Sequence, residues 1–263
     1  MSNRLQYTMF MQLTKATERL PVMSATIDQM VELTILRFFK PRRLIEFGAA
    51  TGNWCIVMNA LCNGYVDQHY TLVEDFSWHT NNHINNKSQA VTYKFPESKI
   101  ELTQHVSKHI QSFDIIDTSV DQLIETDLEE SVDLVRIDCD VIDASNWDKT
   151  VDWIDRNGSD RLIILSDDIK STVAPHRMLI MQQLVAQGKM NLMWIGEDTA
   201  AWCRPTMLNE LHKWFEYVYS FKESELMNIF EMRLQLYGYK QKYIHTNRSN
   251  LYKILIPQST GTI

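Results

Sequence analysis

"RLIEFGAATGNWCIVMNALC", Arg43 to Cys62, opens with a short apolar run around Glu46 that ends in Gly48. A loop holding a second glycine, Gly52, follows it, and a dense apolar segment comes next. Strand, glycine loop and helix form the opening of a βαβ unit. The loop has the form acid-x-Gly-x-x-x-Gly from Glu46 to Gly52, with Ala49 and Thr51 between the glycines. Glycines there let backbone approach a ligand closely while the N-terminus of the next helix faces it. Residues 48 to 53 read Gly-Ala-Ala-Thr-Gly-Asn, so the three-glycine phosphate loop is not met. A nucleoside ligand without pyrophosphate fits this loop better than a dinucleotide.

The same alternation extends to either side. Upstream, residues 24–39 place Ile27, Met30, Val31, Thr34, Ile35 and Phe38 at helical spacing, with Thr26 and Gln29 as a capping box and Pro41 as the stop. Downstream, strands are expected at Tyr70–Asp75, Phe113–Ile116, Val132–Asp138 and Arg161–Asp167. Ser98 and Glu101 form a second capping box, opening a helix with Leu102, Val106 and Ile110 on one face. Helices are also expected at "WDKTVDWIDRNG" and "HRMLIMQQLVAQG", and "MNLMWIG" and "TAAWCRP" read as a closing hairpin. Strands apolar on both faces that alternate with helices predict an α/β chain with a doubly wound, mostly parallel, Rossmann-like sheet. Residues 1–40 are then an N-terminal helical segment, 41–205 the α/β domain, and 206–263 a C-terminal helical extension with a short strand pair around "NRSN".

Composition narrows the function. The chain has 263 residues, 44% hydrophobic and 22% charged, with a net charge of −7. That balance argues against a protein that coats a phosphate backbone, and "KPRR", Lys40 to Arg43, reads as a solvated loop. No apolar run reaches the roughly 18 residues of a membrane span, and "MSNRLQYTMFMQ" lacks the apolar stretch of a signal peptide. A soluble, cytoplasmic protein is expected. The four cysteines form no CxxC pair, and Cys55 and Cys62, seven apart, read as core residues.

In a sheet of this kind ligands bind at the carboxyl ends of the strands. Each expected strand delivers glycine or carboxylate there: Gly48 to Gly52, Glu74 with Asp75, Asp117, Asp138 with Asp140, and Asp167 with Asp168. An acid at Glu74 or Asp75 can accept both hydroxyls of a ribose. Asp117, Thr118 and Ser119 supply further polar groups at the end of the third strand.

"IEFGAATGNW", "TLVED", "VDLVRIDCD" and "RLIILSDDI", in that order and spacing, resemble the class I S-adenosylmethionine-dependent methyltransferases. Within them the likeness is greatest to the macrocin O-methyltransferase group of small-molecule and sugar O-methyltransferases. There an Arg-x-Asp-x-Asp segment precedes a strand ending in Asp-Asp. Arg136, Asp138 and Asp140 match the first, Asp167 and Asp168 the second, and "LMWIGEDTAAWCRP" resembles the closing hairpin. The chain departs from the group in having "RNGSD" before the fifth strand and Val141 to Ala144 where an aromatic is usual. The resemblance implies S-adenosylmethionine held by Glu46, Gly48, Ala49, Thr51, Gly52, Glu74, Asp75, Asp117, Thr118, Ser119 and Asp138. It also implies methyl transfer to a hydroxyl of a small molecule or sugar.

In such sheets the fourth and fifth strands are neighbours, which puts Asp138 and the Asp167–Asp168 pair about 5 Å apart. Two carboxylates at that distance repel by about 3 kcal/mol at an effective dielectric near 20. Proton sharing, a basic neighbour such as Lys170 or Arg136, or a divalent cation would offset this. Oxygen-only ligands select a hard ion, so Mg²⁺ on Asp138, Asp167 and Asp168 is expected, where it would acidify a substrate hydroxyl. Asp138 or His176 would accept the proton, with His79 and His83 as further candidates at the substrate mouth. Residues 1–40 are expected as a lid over the acceptor pocket or as a packing or dimer contact, which admits a homo-oligomer.

Four rival readings use the same fold. A nucleic-acid 2′-O-methyltransferase would need a Lys-Asp-Lys-Glu set. Asp138, Lys170 and Glu197 could serve, but a second lysine is missing and the charge is of the wrong sign, so a nucleic-acid partner is not expected. DNA amine methylation needs adjacent prolines that the chain lacks. The others are a non-catalytic cofactor-binding subunit and a metal-dependent enzyme such as a hydroxylase.

Overall fold

The computed structural model describes residues 26–62, 67–77, 96–139, 146–167, 169, 176–195 and 199–220. Helix α1 (Thr26–Phe39) passes through a left-handed Lys40 (φ 52°) and Pro41 into β1 (Arg43–Phe47). Proline cannot continue a helix and disfavours helical backbone at the residue before it, which fixes this boundary. The chain then runs α2 (Asn53–Cys62), β2 (His69–Glu74), α3 (Lys99–Val106), β3 (Phe113–Asp117), α4 (Val120–Leu123), β4 (Val132–Ile137), α5 (Trp147–Asn157) and β5 (Gly158–Ser166). It closes with α6 (His176–Ala186), β6 (Asn191–Ile195), β7 (Ala200–Cys203), a 3₁₀ turn (Pro205–Met207) and α7 (Leu208–Ser220).

The strands form one seven-stranded sheet in the order β3-β2-β1-β4-β5-β7-β6. The first five are parallel, and β7 runs antiparallel to both β5 and β6. This is the expected doubly wound, Rossmann-like sheet with its closing hairpin. β7 lies inside β6, so the hairpin returns to pair with β5 through its second strand. Strand interiors are apolar because both faces are covered. On one face α1, α2, α3 and α7 enclose Leu36, Leu44, Met58, Leu72, Leu102 and Trp214. On the other, α4, α5 and α6 enclose Phe47, Val135, Trp153, Ile164, Ile180 and Met181.

Three elements differ from the sequence reading. β5 begins at Gly158 rather than Arg161, and a register shift between Val132 and Leu134 draws "GSD" into the strand. α3 ends at Val106, and Ile110 reaches the core from the turn that follows. Helix α4, unforeseen, is a single turn begun by Ser119, whose hydroxyl accepts the Gln122 N–H at 3.3 Å. The capping box at Thr26, the strand pair near "NRSN" and the last expected helix lie outside what is described.

Candidate functional site

Register decides what meets at the carboxyl edge. Phe47 is level with Val73 on one side and Ile137 on the other, and Ile137 is level with Ser166. One residue further on, the backbone ladder still holds. Gly48 donates to the Val73 carbonyl (3.0 Å), Asp138 to that of Phe47 (2.9 Å) and Asp167 to that of Ile137 (2.9 Å). Gly48, Asp138 and Asp167 therefore leave three neighbouring strands side by side. The strand order reverses between β1 and β4, so this is the topological switch point where open α/β sheets bind ligands.

The glycine loop has a tight geometry. Gly48 sits at φ 78°, and a Cβ there would lie 2.7 Å from the Asp138 carbonyl oxygen and 2.9 Å from Cys139 Cα. Gly52 is also left-handed (φ 69°), but a Cβ on it would point into the core, 2.8 Å from Val106 Cγ2 and 3.4 Å from Leu102 Cδ1. Its glycine is thus required by packing against α3. Packing is a reason for glycine here besides the ligand approach expected from the sequence. Ala50 takes a positive φ of 49° without being glycine. Its N–H donates to Glu74 Oε2, which ties the loop to the end of β2.

Several expected cofactor ligands already have structural partners. Glu74 is buried at 6% exposure and braces the loop as described. Asp75 Oδ1 accepts the Ser77 N–H (3.0 Å) and hydroxyl (2.5 Å), a local turn of the kind aspartate forms. Thr118 donates to Gln122 Oε1 at 2.9 Å, and Ser119 caps α4. Asp117 is exposed at the end of β3, level with Glu74.

The carboxylates are held together by Arg136. Its side chain, 2% exposed, points along β4 with three ion pairs: Nη1 to Glu46 Oε1 (2.7 Å), Nη1 to Asp138 Oδ2 (2.5 Å) and Nη2 to Asp167 Oδ2 (2.9 Å). The guanidinium lies over the Trp54 ring, 5.0 Å from its centroid, and the Trp54 indole N–H donates to Glu32 Oε2 at 2.7 Å. Asp167 is saturated further, since its Oδ1 accepts the Thr199 hydroxyl at 3.0 Å. Asp138 differs, with 32% of its side chain exposed.

Charge in this cluster does not cancel. Burial pushes the Glu46 carboxyl up to about 8, Arg136 works against that shift, and Asp138 adds to it. Burial would lower Arg136, yet Asp138, Glu46, Asp167 and Glu32 outweigh it and hold the guanidinium above its ordinary range. The 2.7 Å contact suggests a plain Glu46–Arg136 ion pair, whereas the shift describes a proton-bearing carboxyl. Both follow if one cation cannot neutralise several buried anions, so a deeply buried acid such as Glu46 keeps a proton.

Of the offsets open in the sequence, a basic neighbour, Arg136, is present. The expected metal set is not assembled among the described residues. No three His, Cys, Asp or Glu side chains there are grouped to hold an ion, and Asp138 and Asp167 direct an oxygen each at Arg136. Asp140, Asp168, Lys170 and Glu197, with His79 and His83, lie outside the description, as does the His176 side chain, whose backbone begins α6. The sequence reading missed Glu32 and Trp54. An acid between Val31 and Leu33 in a buried helix was the available signal. A cavity of about 1670 Å³ opens at the opposite, amino edge of the sheet, lined by Pro41, Arg43, His69, Asp114 and Asp133. It is remote from the glycine loop, and the switch point is the better-founded site.

No family model matches the chain, and no curated protein matches it in sequence. Solved structures do match its fold. The cofactor-bound form of Rv0187 from MTB is 15% identical with a TM-score of 0.50, over 76% of this chain and 89% of that one. A protein described as a caffeoyl-CoA O-methyltransferase from Staphylococcus aureus is 12% identical with a TM-score of 0.50, over 78% of this chain and 93% of that one. At these identities the likeness is one of fold.

Proposed function

We propose that this chain is an S-adenosylmethionine-dependent methyltransferase that acts on a hydroxyl group of a small molecule or sugar. The observation that carries the reading is a glycine loop beside a net-negative cluster at the switch point of the sheet. Counting Glu46 as protonated, one guanidinium faces Asp138 and Asp167, which favours a cationic ligand over a phosphate. The fold neighbour from Staphylococcus aureus, described as an O-methyltransferase, is consistent with that class.

S-adenosylmethionine, when bound, supplies a methyl group on a positively charged sulfur that a nucleophilic oxygen can attack. The residues suited to hold it are Gly48, Ala49, Thr51 and Gly52 in the loop, Glu74 and Asp75 at β2, and Asp117, Thr118 and Ser119 at β3. A carboxylate has lone pairs beyond the one Glu74 gives to Ala50, so loop bracing and ribose binding are compatible. Asp138 is the partly exposed acid of the cluster, and its ion pair with Arg136 orients it. In this reading it holds the positive end of the cofactor or takes the proton of the acceptor hydroxyl, with His176 as the alternative base. The described carboxylates Glu46, Asp138 and Asp167 are directed at Arg136.

Calorimetric titration with S-adenosylmethionine and S-adenosylhomocysteine tests the proposal. One site per chain is expected, weakened at least tenfold by Asp138→Asn in a variant that melts like the parent. A folded parent that binds neither compound would refute it.

A further inference from the structure

Arg136 pairs with Asp138 and Asp167, two of the three carboxylates the sequence leads one to expect on a metal. We propose that its guanidinium is the resident counter-ion of the strand-end carboxylates, so that the site takes up no divalent cation and needs none. Three observations point the same way. The guanidinium takes one oxygen each from Glu46, Asp138 and Asp167 at N···O distances of 2.5–2.9 Å, so two of the carboxylates expected to hold a hard ion already have a cation between them. Its place is built, since the Trp54 ring supports one face and the side chain is 2% exposed. Each Asp167 oxygen already accepts, Oδ2 from Arg136 and Oδ1 from Thr199, and the side chain is only 7% exposed. Arginine suits this role because its planar fork stays charged when buried and can bridge several carboxylates at once.

The ion-binding half of this inference is independent of the methyl-transfer reading; the statement that the site needs no cation rests on it. Mn²⁺ is the probe, because its paramagnetic resonance signal reports free ion directly. The full-length parent is expected to leave the free Mn²⁺ signal unchanged. One Mn²⁺ bound per chain, and lost in Asp138→Asn, would overturn the proposal. Arg136→Met keeps bulk and removes the charge, leaving three acids around the vacated volume. If folded, it is expected to bind one Mn²⁺ per chain. A folded Arg136→Met that binds none would overturn the claim that the guanidinium holds a cation's place. Should that variant not fold, the parent titration decides alone. S-adenosylhomocysteine affinity of the parent should change less than twofold on adding a chelator, and a tenfold loss would refute the inference. Absence of any cofactor binding would instead refute the methyltransferase reading and leave the Mn²⁺ result standing.

Discussion

Gly48 is the residue at which backbone geometry most tightly limits substitution. Its positive φ strains any side chain, and the atoms a Cβ would strike, Asp138 O and Cys139 Cα, are backbone that cannot swing aside. Gly48→Ala should cost about 2–4 kcal/mol, summing left-handed strain and overpacking. Gly188→Ala, with a similar φ of 69° but nothing within 4 Å, should cost only about 1 kcal/mol. Urea unfolding of the two variants checks the difference. Glu46 gives a second test at this scale. Its folded carboxyl, raised to about 8 from 4.5, binds a proton that the unfolded chain releases. The folded state therefore holds more protons across that interval, and stability falls as pH rises through it. Glu46→Gln should flatten that slope and melt higher than the parent at pH 9, where the parent must bury a charge. Melting curves between pH 5 and pH 9 would show it, and a parent more stable at pH 9 than at pH 6 would contradict the assignment.

Among the elements, α3 and the closing hairpin carry separable local stabilisation. Ser98 accepts the Glu101 N–H at 3.3 Å, while Glu101 Oε2 reaches back to the Glu97 N–H at 2.9 Å, one residue earlier than the usual box. Ser98→Ala should cost about 1 kcal/mol. The hairpin is tied to α5 through Asp155, which takes Arg204 Nη1 at 2.6 Å and Lys189 Nζ at 2.8 Å. Burial alone would raise the Asp155 pKa, but these hydrogen bonds and charges hold it below the ordinary carboxylate range. A depressed pKa means stability that is present above the unfolded value and lost as pH falls through the folded one. Asp155→Asn should lower the melting temperature at pH 7 and leave the two proteins closer together at acid pH.

At the scale of the whole molecule, a ligand seated at the switch point bridges β1, β2 and β4 and so must stabilise the native sheet against unfolding. At a concentration of 100 times Kd, S-adenosylhomocysteine should add about 2.7 kcal/mol, which for a chain of this size raises Tm by roughly 5–10 °C. Asp138→Asn should blunt that shift without lowering the Tm of the free protein by a similar amount. Thermal scans with and without ligand would separate the two effects.

Much of this was legible along the chain. Period and punctuation determine a parallel sheet with helices on both faces, because a buried parallel strand must be apolar on both sides and a crossover must be a helix. They also show which acids follow each apolar run, and hence which carboxylates gather at the strand ends. The order β3-β2-β1-β4-β5 and the register that sets Asp138 beside Asp167 came from pairing between segments far apart in sequence. No local pattern encodes that. The direction of Gly52 into Val106 and the convergence of Glu46, Glu32 and Trp54 on Arg136 arise the same way. A sequence can show that like charges gather at one edge and must be offset. Which cation offsets them depends on where a long flexible side chain comes to rest, and only packing in three dimensions settles that.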